Sequence, residues 1–270
     1  NFVMSIKMYQ VDAFTDQLFG GNPAAVCYLD EWLSDSVMQK IAAENNLSET
    51  AFFVRSSVQD EYEIRWFTPT IEIDLCGHAT LATSHIIFTE ISPESELIRF
   101  QSKVSGQLTV TRQKETGLYT LDFPCHPSEP IDLPDGLLSA LRCETKPVGV
   151  YKAIYHLLVY PNEADVQQLA PDFSALSKFR DIFALIVTAP GDKVDFVSRV
   201  FAPTAGIFED PVCGSAHCTL TPYWAERLGK NQLHAYQISA RKGELWCEKR
   251  DDRVHISGKA VTYLKGEINV

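Results

Sequence analysis

The sequence predicts an α+β fold made of two related halves, and three observations carry that expectation. The stretch DLCGHATLATSH (Asp74–His85) returns in altered form as EDPVCGSAHCTL (Glu209–Leu220), and each follows a Phe-x-Pro-Thr, at Phe67 and at Phe201. Strand signals come in consecutive runs and do not alternate one for one with helices, which separates this pattern from a parallel βαβ fold. A Pro-rich stretch from Cys125 to Pro147 divides two similar series of elements. It sets the halves at 1–125 and 126–270, with the C-terminal strands free to pack back onto the first.

Each element has a local reason. IKMYQVDAF alternates as a strand should, and NPAAVCYL after Gly20-Gly21 reads as a second. LSDSVMQKIAAENN places Ser34 before apolar Val37, Met38 and Ile41, the signature of an N-capped amphipathic helix. TAFFVRS, YEIRWFT, LIRFQS, GQLTVTRQ and LYTLDFP are strand-like, with turns between them. Beyond the Pro-rich stretch the series restarts. AIYHLLVY reads as one strand, NEADVQQLAPDFSALS as one helix, and DIFALIVTA and VDFVSRVF as strands. The second Cys-Gly turn, its helix and a closing set of strands from AYQISA to VTYL follow.

Composition bounds the function. With 270 residues, 45% hydrophobic and 22% charged, the chain can bury a sizeable core. A net charge of −11 argues against nucleic acid or an anionic membrane as the main partner. No window approaches the roughly 18 apolar residues of a membrane helix, and NFVMSIKMYQVDAF lacks the apolar region and cleavage site of a signal peptide. Seven cysteines without close pairing fit a reducing compartment. The expectation is a soluble, cytoplasmic protein.

The repeated turn has a chemical use. A Gly-containing turn that opens a helix exposes backbone N–H groups with the positive end of the helix dipole behind them, and so captures an anion such as a carboxylate. Gly77 and Gly214 hold these positions. The plainer reading is that each glycine ends a strand tightly.

Four blocks, YQVDAFTDQLFGGNPAAVC, NNLSETAFF, IRWFTPTIEIDLCGHATLATSH and FAPTAGIFEDPVCGSAHCTLTPYWAERLG, together resemble the phenazine-biosynthesis PhzF-like family, in that family's order and spacing. That family belongs to the diaminopimelate epimerase and proline racemase fold superfamily, and the resemblance runs from Met8 to the C-terminal strands. It implies two pseudo-symmetric halves, each a curled, mostly antiparallel sheet around a central helix, with the active site in the cleft between them. It also implies a homodimer, no cofactor, no metal and a small anionic metabolite as substrate. The central helices would be the apolar runs after Gly77 and Gly214, and Pro222 in the second is expected to bend it.

Carried over residue by residue, the resemblance makes Glu49 the acid/base carboxylate, with His78 and Asp210 as catalytic partners. Gly77, Gly214 and Ser215 would bind the substrate anion, and Asn22 would line the pocket. The residue types suit proton movement: a carboxylate that accepts a proton and later returns it works at neutral pH when burial raises its pKa. Each position also has a plainer reading. Glu49 reads as a solvated loop carboxylate, His78 as a structural histidine, Asp210 as a helix N-cap before Pro211, Ser215 as an N-cap, and Asn22 as turn chemistry before Pro23.

Cys76 and Cys213 keep a second mechanism open. In the racemase and epimerase branches two cysteines at such turns face opposite sides of the substrate carbon, one thiolate abstracting a proton and the other thiol delivering one. The PhzF-like pattern usually has another residue, often Thr, where this chain has Cys213. The span from Phe201 to Cys213 is longer than that from Phe67 to Cys76, so the turns are not strictly equivalent. A zinc site from Cys76, His78, Cys213, His217 and Cys218 has no paired-ligand spacing. A non-catalytic small-molecule-binding protein is the remaining alternative. The favoured expectation is a cofactor-independent isomerase shifting a proton on a small carboxylate-bearing metabolite.

Overall fold

The computed structural model describes residues 4–270. Two compact units divide the described residues: one holds residues 4–122 together with Ser257–Val270, and the other holds Phe123–Ile256.

In the first unit β1 (Ser5–Ala13) and β2 (Asn22–Leu29) form an antiparallel hairpin. Helix α1 (Asp35–Asn45) leads to β3 (Glu49–Arg55), parallel to β2, and β4 (Glu61–Phe67) returns antiparallel to β3. A short strand, β5 (Glu72–Ile73), folds back on β4. Helix α2 (Gly77–Ile86) follows and continues as a single π turn, Ile87–Ile91. Then β6 (Leu97–Ser102) lies parallel to β4, and β7 (Gly106–Gln113) and β8 (Leu118–Pro124) extend the sheet antiparallel.

The second unit repeats this order. After β9 (Glu129–Pro130) and α3 (Leu137–Leu141), a hairpin of β10 (Gly149–Lys152) and β11 (His156–Val159) leads through α4 (Glu163–Gln167) and α5 (Phe173–Leu176). Next comes β12 (Leu185–Pro190), parallel to β11, and β13 (Phe196–Ala202) antiparallel to it. Short β14 (Ile207–Asp210) returns on β13 before the long helix α6 (Gly214–Leu228). Strand β15 (Gln232–Gln237) is parallel to β13, β16 (Gly243–Arg250) is antiparallel to β15, and β17 (Arg253–Gly258) follows. Strand for strand, the hairpin, helix, parallel return, short back-folded strand and buried helix occur twice. The chain ends with β18 (Ala260–Asn269), which pairs with β1 in the first unit.

Two elements differ from their sequence expectation. AIYHLLVY is not one strand, because Ala153–Tyr155 form the tight turn between β10 and β11. NEADVQQLAPDFSALS is two helices, because Pro171 cannot donate into a continuing helix. Each piece then supplies its own cap: Asn162 accepts from the Asp165 amide and Asp172 from the Ala175 amide. Ser34 does stand at the N-cap of α1, but its hydroxyl makes no capping bond and instead lies 3.2 Å from Ser36 Oγ.

The helices α2 and α6 are the centre of each unit. The sheet curls so that β1, β2, β3 and β18 all contact α2, and β15 and β16 contact α6. Burial extends round both helices, as the lack of a polar face requires. In α2 the buried hydroxyls are satisfied locally: Thr80, Thr83 and Ser84 donate to the carbonyls of Cys76, Ala79 and Thr80 at 2.6, 2.8 and 2.7 Å. In α6 the helix runs unbroken through Pro222. The Cys218 carbonyl that Pro222 cannot serve accepts the His126 amide at 2.9 Å, so the proline leaves no orphaned acceptor.

Candidate active site

Both Cys-Gly turns are built alike. Cys76 and Cys213 are the N-cap residues of α2 and α6, each in extended conformation, and Gly77 and Gly214 are the first helical residues. Asp210 is therefore not a helix cap; it ends β14. Ser215 is likewise inside the helix and not at its cap. The extra residues between Phe201 and Cys213 are accounted for by a 3-10 turn, Pro203–Ala205, closed by Gly206 in the left-handed region (φ 80), and by a longer back-folded strand.

At the first turn, Glu49 begins β3 and is only 7% exposed, so it is no solvated loop carboxylate. His78 Nε2 approaches Glu49 Oε2 at 3.2 Å, and its Nδ1 lies 3.4 Å from Cys76 Sγ. The imidazole thus faces both the thiol and the carboxylate. The approach to Oε2 lacks hydrogen-bond alignment, and that oxygen has no hydrogen-bond partner among the described residues. Burial pushes the Glu49 carboxyl above the ordinary carboxylate range, opposed by hydrogen bonding from the Ser48 and Cys76 side chains. Ser48 Oγ is 3.4 Å from His78 Nε2 and 3.4 Å from Asn22 Oδ1, which brings buried Asn22 to the edge of the same cluster.

Glu49, Cys76 and His78 place one donor atom each within 4.8 Å of the others, a trio that could hold a metal ion. The two ring nitrogens face different partners, Nε2 towards Glu49 and Nδ1 towards Cys76. His217 and Cys218 stand outside this trio: His217 Nδ1 donates to the Cys213 carbonyl at 2.8 Å, and burial holds its pKa down to about 4, so the ring is neutral.

At the second turn the partners are hydroxyls. Cys213 Sγ lies 3.2 Å from Ser215 Oγ, which lies 3.2 Å from the Tyr155 hydroxyl. Burial drives the Cys213 thiol well above its usual range, and the Asp210 carboxylate pushes it further the same way. Burial and the neighbouring Cys213 also push Tyr155 up to about 12. All three groups therefore stay protonated at neutral pH. Gln237 fixes the turn itself, accepting from the Cys213 amide at 2.9 Å and donating to the Asp210 carbonyl at 2.7 Å.

Sequence reasoning did not single out Ser48 or Tyr155. Ser48 sat in the quoted NLSET block, and its place beside Glu49 was the available signal. Tyr155 had none, because only the β10–β11 turn carries it to Ser215.

Two comparisons now fix the class. The fold is shared with a probable proline racemase of Agrobacterium radiobacter, at a TM-score of 0.66 and 9% identity over 97% of this chain and 92% of that one. The chain thus has the epimerase and racemase fold. The phenazine biosynthesis-like (PhzC-PhzF) family model matches residues 11–266, and the chain belongs to that family. A PhzF-family protein of Enterococcus faecalis superposes at a TM-score of 0.94, with 48% identity over 99% of this chain and all of that one. An uncharacterized isomerase of Pseudomonas aeruginosa is 48% identical over 99% of this chain and its own full length. With three bacterial relatives at 45–48% identity named as isomerases, the chain is an enzyme of the isomerase class.

Proposed function

We propose that this isomerase works without a cofactor and relocates a proton on a small carboxylate-bearing metabolite, with Glu49 as the general acid/base. The reading rests on one observation: a carboxylate that is buried, raised in pKa and left with an unpartnered oxygen. In its ionised form Glu49 takes a proton from a carbon of the substrate, becoming a neutral acid. It then delivers that proton to another carbon of the conjugated system, so nothing is consumed and the enzyme returns to its starting state. His78 orients the carboxylate and shares the proton. The N-terminal turns at Gly77–His78 and Gly214–Ser215 bind anionic substrate groups through backbone N–H donors, with Asp210 and Asn22 contacting polar substituents.

The two-cysteine reading has one supporting observation, that both thiols stand at equivalent N-caps. Its difficulty is electrostatic, because a thiol held protonated by burial and by Asp210 serves as an acid but is a poor base. The deciding experiment incubates the protein in D2O with a panel of small unsaturated and α-amino carboxylates and follows deuterium incorporation by mass spectrometry. The proposal expects incorporation that Glu49→Gln abolishes, with circular dichroism unchanged. Incorporation that survives in Glu49→Gln and vanishes in Cys213→Ser overturns it in favour of the paired thiols.

A further inference from the structure

The three groups gathered at the first turn have a second chemistry. A thiol, an imidazole and a carboxylate are the ligand types that zinc takes from proteins. They arrive from separate places in the first unit: Glu49 from the start of β3, Cys76 from the N-cap of α2 and His78 from its first turn. Among the described residues no other three His, Cys, Asp or Glu donors lie so close together. Bonds of about 2.0–2.3 Å at tetrahedral angles set zinc ligands roughly 3.3–3.6 Å apart. His78 Nε2 is 3.2 Å from Glu49 Oε2, its Nδ1 is 3.4 Å from Cys76 Sγ, and one donor atom from each residue lies within 4.8 Å of the other two. Small side-chain shifts therefore close the set on one ion.

The surroundings suit an ion. Glu49 Oε2 is buried and has no hydrogen-bond partner among the described residues, so its lone pairs are available to a cation. The carboxylate and a Cys76 thiolate together cancel the charge of a divalent ion, as a buried site requires. A histidine on zinc nearly always donates its second ring N–H to an outer partner, and Ser48 Oγ lies 3.4 Å from His78 Nε2. The site is not sealed: the Glu49 and His78 side chains keep 10% and 6% of their surface exposed, which leaves the ion a way in and its fourth position open to water.

We propose that Glu49, Cys76 and His78 together bind one Zn2+ ion, and that the bound ion is an inhibitor and not a resident cofactor. On binding, the Cys76 thiol gives its proton to solvent and becomes a thiolate ligand. The Glu49 carboxylate, with its lone pairs committed to the metal, can no longer take a proton from a substrate carbon. The inhibition rests on the acid/base role proposed for Glu49, whereas the binding does not.

The test takes the whole chain, stripped with a chelator, and titrates it with Zn2+ in competition with a chromogenic zinc indicator. One ion per chain is expected. Cys76→Ser should weaken binding by more than the roughly 10–100-fold that loss of an outer-shell partner costs. Cys125→Ser, at a half-buried cysteine outside the trio, should leave the affinity unchanged. Co2+ in place of Zn2+ gives a second reading on the wild type, independent of how any variant folds: a thiolate ligand produces an intense charge-transfer band in the near ultraviolet. In the deuterium-exchange assay, one equivalent of Zn2+ should stop incorporation and the chelator should restore it. Failure to bind one ion per chain overturns the site, as does equal affinity in Cys76→Ser or a cobalt complex without the thiolate band. Exchange that continues with zinc bound, or that requires zinc, overturns the inhibition. A chain that binds zinc through Cys76 but exchanges no carboxylate keeps the site and loses the role proposed for Glu49.

Discussion

The turn at Cys76 and the turn at Cys213 share a backbone and differ in chemistry. Each follows a short back-folded strand, caps its helix with an extended cysteine and opens the helix with glycine. Around the first, an imidazole, a thiol and a buried carboxylate lie together, the carboxylate raised in pKa by burial. Around the second, a thiol and two hydroxyls are held protonated, and burial together with the carboxylate beside them, Asp210, keeps the thiol so. A duplicated scaffold has kept the same corner twice and placed different side chains around each: a carboxylate, an imidazole and a thiol at the first, and a thiol, two hydroxyls and the Asp210 carboxylate at the second. The physical difference is what surrounds the corner: β3 delivers Glu49 to the first, whereas the β10–β11 turn delivers Tyr155 to the second.

The sharpest way to break this comparison is to neutralise each side in turn. Glu49→Gln should lower the rate of solvent deuterium exchange by roughly 10²–10⁴, the usual contribution of a general acid/base. Cys213→Ser keeps a hydroxyl donor and should lose far less. Equal losses in both variants would erase the distinction between the turns.

A second test reads the proton itself. Cys76 is one of two side chains whose hydrogen bonding opposes the desolvation of Glu49. Cys76→Ala should therefore raise the Glu49 pKa further and move the acidic limb of the pH–rate profile to higher pH. Cys213→Ala should leave that limb where it is.

Stability supplies a third. Because burial raises the Glu49 pKa in the folded state, that state binds the proton more tightly than the unfolded chain does. The resulting stabilisation is fully present below the unfolded pKa, near 4.5, and is lost as pH rises through the folded one. At neutral pH the ionised carboxylate is thus a liability. Glu49→Gln should melt higher than wild type there, with the advantage shrinking on acidification below that range. A variant that melts lower at neutral pH would mean that the carboxylate is better satisfied than its unpartnered oxygen implies.

The smallest expected effects concern the helices that precede the turns. Asp172→Ala removes a real cap in the second unit and should lower the midpoint of chemical denaturation. Ser34→Ala in the first removes a hydroxyl that makes no capping bond and should be nearly neutral in chemical denaturation.

Much of this was legible from local pattern. Alternation marked β1 to β4 and β6 to β8, and the all-apolar runs after Gly77 and Gly214 marked the two buried helices, because burial on every side leaves no polar face to hide. Local pattern failed where a neighbour distant in sequence or a break in the chain decided the outcome. AIYHLLVY looks continuous until Ala153–Tyr155 turn back so that His156 can pair with Leu185. Pro222 looks disruptive until His126 is seen serving the carbonyl it leaves free. Ser34 looks like a cap, but a suitable residue at the right position does not by itself aim its hydroxyl.

The sequence alone determined the duplicated plan, the two glycine-opened helices and the types of residue at each turn, since these depend on spacing and on propensities that act over a few residues. Tertiary structure alone decided that Glu49 is desolvated, that His78 faces Cys76 with one nitrogen and Glu49 with the other, and that β18 lies beside β1. Those are matters of which distant segments exclude water from one another, and a carboxylate acquires an unusual proton affinity only when they do.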